Sequence, residues 1–90
     1  MLFEIFEWDE GNIEHILRHN VGLDEIEEAC VNNRYIRRTL NKRYLIYGVT
    51  DSGRYLLIVG IDKGKGIFRT ITARDMTGRE KSLYKRRWRK

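Results

Sequence analysis

From Arg34 onward the chain carries four strand-like runs in a row: RYIRRTL (34–40), RYLIYGVT (43–50), RYLLIVGID (54–62) and GIFRTITARD (66–75). All four are rich in β-branched and aromatic residues, which suit a pleated, half-buried surface. Asp51, Ser52 and Gly53 lie between the second and third runs, and Lys63, Gly64, Lys65 and Gly66 between the third and fourth. Connections this short join only antiparallel neighbours, because a parallel return needs a long crossover. Leu45, Tyr47, Val49, Leu56, Ile58 and Ile61 read as the buried centre of this sheet. Helices are expected to cover one face.

Short helical segments flank the sheet. Phe3, Ile5 and Trp8 nearly alternate with acids, as in an edge strand or extended arm. Asp9 is placed as a helix N-cap, and Ile13, Ile16 and Leu17 follow at the helical period until Asn20 and Gly22 supply a stop. Asp24, with Glu27 three residues on, opens a second helix whose inner face is Ile26, Ala29 and Cys30 and which ends near Asn32 and Asn33. Thr77 and Glu80 form a capping-box pair that starts a third, TGREKSLYKRRWRK, with Leu83 turned inward beside Tyr84 and Arg79 and Arg86 on other faces. The expected architecture is α+β: two N-terminal helices, a twisted four-stranded antiparallel sheet and a C-terminal helix. Ninety residues allow one core, so residues 1–90 are read as a single domain.

Composition excludes several classes. At 41% apolar residues the chain can fill a small core, which rules out wholesale disorder. MLFEIFEWDE lacks a basic leader followed by an unbroken apolar run, so neither a signal peptide nor a spanning helix is expected and the protein is read as soluble and cytoplasmic. One cysteine, Cys30, makes no internal disulfide. Charge is divided along the chain. Residues 1–33 hold nine acids and one base, net −8; residues 34–90 hold 17 bases and four acids, net +13, giving +5 in all. A domain polarised in this way attracts polyanions, of which nucleic acid is the commonest in the cytosol. A solvated surface is the bland alternative for a basic tail such as KRRWRK, but it does not account for seventeen bases across 57 residues.

Several candidate sites are weak by composition alone. His15 and His19 are four apart and share a helix face, the spacing of a two-histidine metal site, but no third ligand or HExxH glutamate accompanies them. Neither a metal nor another cofactor is expected. Cys30 sits on an apolar stripe and reads as core. Gly64 and Gly66 in DKGKG fit a hairpin turn better than a phosphate cradle. Trp8 and Trp88 are candidates for stacking on bases, with burial the stronger reading for Trp8. A denser constellation comprises Arg69, Arg74, Arg79, Glu80, Tyr84 and the basic tail. Arg79, Glu80 and Tyr84 lie at the start of a helix, whose free N–H groups favour an anion. Metal-free RNA cleavage requires a base for the 2′-hydroxyl, cations for the phosphorane and an acid for the 5′-oxygen. Arginine supplies the cations, and Tyr84 or Glu80 the proton transfers; the bland alternative is a helix cap, a packed tyrosine and solvated arginines.

FEWDEGNIEHILRHNVGLDEIEEA (6–29) and RTITARDMTGREKSLY (69–84) together resemble the BrnT family of toxins from bacterial type II toxin–antitoxin modules. The markers are Trp8-Asp9, His19 followed by Val21 and an acidic helix, and Ala73-Arg74 with Arg79-Glu80 and Tyr84. Asn12 and Arg18 stand where many such toxins carry lysine. The resemblance implies a RelE-like fold and a small ribonuclease that blocks translation. It also implies neutralisation by a cognate antitoxin whose ribbon-helix-helix portion binds DNA. On this reading Arg74, Arg79, Glu80 and Tyr84 are catalytic, with His19 a lesser candidate. Arg69, Lys85, Arg86, Arg87 and Arg89 hold RNA, with the ribosome a further partner. A non-catalytic module bound to nucleic acid or the ribosome is the rival.

Overall fold

The computed structural model describes residues 3–32 and 34–88, residue 88 by its backbone alone. In chain order these form β1 (Ile5–Glu7), α1 (Glu10–Arg18), α2 (Leu23–Val31), β2 (Tyr35–Arg38), β3 (Arg43–Val49), β4 (Tyr55–Gly64), β5 (Ile67–Asp75) and α3 (Gly78–Trp88). Strands β2 to β5 make the antiparallel meander that the turn residues predict. The sheet is nevertheless five-stranded and mixed, in the order β1-β5-β4-β3-β2, which corrects the expected four-stranded antiparallel sheet.

The added strand, β1, runs parallel to β5 with Phe6 opposite Phe68 and Glu7 opposite Arg69. Two helices separate β1 from the meander, so no hairpin reaches it, and the outer edge of β5 offers it partners. Backbone N–H groups of Glu4 and Ile5 both donate to the Gly66 carbonyl, at 2.8 and 3.0 Å. Arg69 then fixes the register: its Nη1 lies 3.2 Å from Glu7 Oε1 and 2.7 Å from Asp9 Oδ2.

Helices cover both faces of the sheet, not one. On the first face Ile16, Val21, Ile26, Ala29 and Cys30 pack against Ile46, Leu56, Ile58, Phe68 and Ala73. This approach is close at Gly48, where a methyl group would overlap the carbonyl oxygen of Ala29, so only glycine lets α2 sit on β3. On the opposite face α3 seats Leu83 and Tyr84 against Tyr47, Leu57 and Met76. The Met76 N–H donates to the Tyr55 carbonyl at 3.0 Å and turns the chain at the end of β5 toward that side.

Local capping follows the sequence in two places and departs in one. Asp9 and Asn12 form a reciprocal box at the start of α1, and Thr77 and Glu80 another at α3. At α2 the cap is Gly22, whose N–H donates to Glu25 Oε1 at 2.9 Å, in place of the expected Asp24 and Glu27 pair. Asn20, in the left-handed region at φ 59°, ends α1 early enough for the next helix to begin at Leu23. Arg54 anchors this corner. It donates to both Asp75 oxygens at 2.7 and 3.2 Å, to Glu25 Oε1 at 3.0 Å and to the Asn20 carbonyl at 2.9 Å. Among the described residues no helix is long and apolar enough to cross a membrane.

Candidate functional site

The division of charge along the chain becomes a division across the sheet. α2 carries Asp24, Glu25, Glu27 and Glu28 with no base, whereas α3, on the other side, carries Arg79, Lys81, Lys85, Arg86 and Arg87 around the single acid Glu80. Helical spacing sorts the cations on α3. Lys81 and Lys85 reach over the Tyr55 ring at 5.4 and 5.5 Å, and Arg87 over the Tyr35 ring at 5.9 Å. Arg79 and Arg86 are exposed, and neither forms an ion pair with another described residue. Arg89 and the side chain of Trp88 lie outside the described residues.

At the start of α3 the last strand and the helix meet. Arg74 grips Glu80 end-on, with Nη1 to Oε1 and Nη2 to Oε2 both 2.8 Å, and Nη1 also donates to the Asp75 carbonyl at 3.1 Å. Glu80 Oε1 accepts in addition from the Thr77 N–H at 2.8 Å. The hydrogen bond from Arg74 is the main reason that the Glu80 carboxyl is held down at about 2, against burial that opposes it. Glu80 is therefore ionised, fully engaged and a weak base. Arg74 retains an open edge: its Nε donates to no described residue, and the side chain is 48% exposed. A guanidinium fixed by one fork and open at the other can donate to two phosphate oxygens side-on.

Tyr84 takes a structural position. It is 3% exposed, packs edge-to-face on Tyr55 at 5.9 Å, and burial pushes its hydroxyl above the ordinary tyrosine range. Arg69 stands apart. Five residues before Arg74 on β5, it lies about 16 Å away at strand rise, held by Glu7 and Asp9. The site residues expected from the sequence thus divide: Arg74 and Glu80 meet at one corner, Arg79 is exposed in the first turn of α3, Tyr84 lies beneath α3, and Arg69 belongs to the β1 end.

The histidines occupy the outer edge of β5. β1 pairs with β5 only at residues 67–69, so beyond Arg69 that edge is faced by α1. Asn12, 4% exposed, donates to the carbonyls of Glu7 and Thr70 at 2.9 and 3.1 Å and closes the step between strand and helix. One turn later His15 Nε2 lies 3.1 Å from Thr72 Oγ1. His19, exposed at the C-cap of α1, stacks at an angle on His15 with centroids 4.9 Å apart. Thr72 pairs with Val59 and Arg74 with Leu57, with no bulge between them, so both side chains share the α3 face. Sequence reasoning missed Thr72 and weighed His15 as a metal ligand against a polar helix edge or a carboxylate-bonded histidine, because nothing local signals a contact 57 residues apart.

Other candidates have structural roles. Cys30 is 3% exposed, and desolvation pushes its thiol up to about 12, which makes it inert as a nucleophile. Gly64 and Gly66 both have positive φ, 91° and 78°, as the β4–β5 hairpin requires. Trp8 stacks on Phe6 and donates to Glu27 Oε2 at 3.0 Å. Among the described residues no group of three or more His, Cys, Asp or Glu side chains could hold a metal ion. Comparison with protein-family models, with curated proteins and with solved structures finds nothing that matches the chain.

Proposed function

We propose that this protein is the toxin of a type II toxin–antitoxin module, a metal-independent endoribonuclease that acts on RNA in the cytoplasm and so inhibits translation. One observation carries the reading: Arg74 from β5 is fixed by Glu80 of α3 while its second fork stays open, and the same helix turn carries an exposed Arg79. Two guanidinium groups at the start of a helix suit a phosphodiester, because the charge that develops on the phosphorane is met by donors already in place. Arg74 grips the scissile phosphate, Arg79 adds the second cation, and Glu80 positions Arg74. Ionised and doubly engaged, Glu80 has no proton to give. Tyr84 serves the seat of α3 on the sheet. Lys85, Arg86 and Arg87 extend the cationic surface along which the flanking RNA, or the ribosome, is held. The cognate antitoxin, with a ribbon-helix-helix portion on DNA, neutralises the site through an acidic segment complementary to this face.

A second reading, a module that binds RNA without cutting it, is favoured by the burial of Tyr84. Incubating the purified protein with end-labelled RNA in excess chelator separates the two. Chelator-resistant cleavage that falls at least 100-fold in Arg74→Ala and Arg79→Ala, with unchanged circular dichroism, supports the enzyme. Salt-sensitive binding without products supports the module.

A further inference from the structure

We propose that His15 is the general base of this site and Thr72 its positioning residue, an assignment that rests on the ribonuclease reading above. The argument begins with the short β1. Because β1 ends at Glu7, opposite Arg69, the outer edge of β5 from Thr70 onward lacks a strand neighbour. α1 fills that side, burying Ile16 completely in the first core, and the adjacent His15 passes around the open edge to Thr72. The imidazole thereby reaches a side chain on the α3 face, although its own helix packs on the opposite face. Thr72 and Arg74 are successive residues of that face, about 7 Å apart at strand rise. A phosphodiester held side-on by Arg74 brings its ribose within the span of one nucleotide to the His15 ring.

The proposal requires the tautomer with its proton on Nε2: the ring then donates to Thr72 Oγ1 and keeps its lone pair on Nδ1, which bonds no described residue. A base oriented by a third group is the arrangement that nucleophile activation uses elsewhere. Nδ1 removes the proton of the ribose 2′-hydroxyl as the 2′-oxygen forms its bond to phosphorus. The bond from phosphorus to the 5′-oxygen then breaks, and that oxygen takes a proton from water. The products are a 2′,3′-cyclic phosphate and a free 5′-hydroxyl, and His15 returns its proton to solvent. Of the other titratable groups around Arg74, Glu80 is saturated, Asp75 is tied to Arg54, and Tyr47 and Tyr84 are buried.

Single-turnover cleavage of labelled RNA in chelator, together with binding of its uncleavable 2′-deoxy analogue, provides the test. His15→Gln is expected to cut at least 100-fold more slowly, with analogue affinity within twofold of wild type. Added imidazole is expected to restore cleavage in His15→Ala. Thr72→Val should lose about tenfold and Thr72→Ser should recover most of it, as expected of an orienting hydrogen bond and not of packing alone. A wild type that cleaves RNA while folded His15→Gln and His15→Ala cleave equally fast overturns the assignment of His15 and leaves the ribonuclease intact. A wild type that binds the analogue and cleaves no RNA overturns the ribonuclease reading and this assignment with it.

Discussion

Replacing Glu80 with glutamine tests the electrostatics of the candidate site through stability. The glutamine amide oxygen can still accept from the Thr77 N–H, so the substitution chiefly removes charge from the pair with Arg74. A carboxyl moved from 4.5 to about 2 sets a ceiling of about 3.4 kcal/mol, at roughly 1.4 kcal/mol per pH unit. Water screens the pair, because Arg74 is 48% exposed, and reduces the expected cost to about 1–2 kcal/mol at pH 7. For a domain of this size that lowers the melting temperature by about 5–15 °C. The folded-state value lies below the unfolded one, so the contribution is complete above about pH 5 and is lost as pH falls toward about 2. Thermal melts of both proteins from pH 7 to pH 3 provide the assay, and the gap should shrink by more than half across that range. A gap that stays constant with pH, or is absent at pH 7, refutes the claim that Arg74 holds an ionised Glu80.

Two further substitutions probe the frame around the site. Arg54→Met should cost about 2–3 kcal/mol in urea unfolding, because it strands Asp75 and Glu25 and frees the Asn20 carbonyl. A cost below about 0.5 kcal/mol would show that this corner holds without the guanidinium. Thr70→Val should stabilise by about 1 kcal/mol, since Thr70 Oγ1 is buried and has no hydrogen-bond partner among the described residues. Destabilisation would reveal that the hydroxyl is bonded after all.

Local chemistry was legible in the sequence, and long-range pairing was not. The meander followed from its turn residues, and the caps at Asp9 and Thr77 from side chains whose partners lie three positions away. The extended segment at β1 was legible as an edge strand or arm, but its parallel pairing with β5 was not, because the partner strand is separated from it by both helices and three strands. The second face of the sheet escaped for a related reason: Tyr47, Leu57 and Tyr84 each read as apolar, but alternation alone does not say which helix covers which side. At the candidate site, the residue types along RTITARDMTGRE marked the corner where β5 meets α3. That Glu80 faces Arg74 depends on how α3 turns at Met76. His15 meets Thr72 only because β5 outruns β1.

Glu7 and Arg69 stand 62 positions apart, so β1 is made long before the segment that completes it. At about 5–20 residues per second, a ribosome leaves Phe3 and Phe6 without their seat on Phe68 for several seconds. During that interval the segment around β1 is aromatic and open to chaperones or to mispairing. Closing the sheet at this edge therefore waits until β5 has been made.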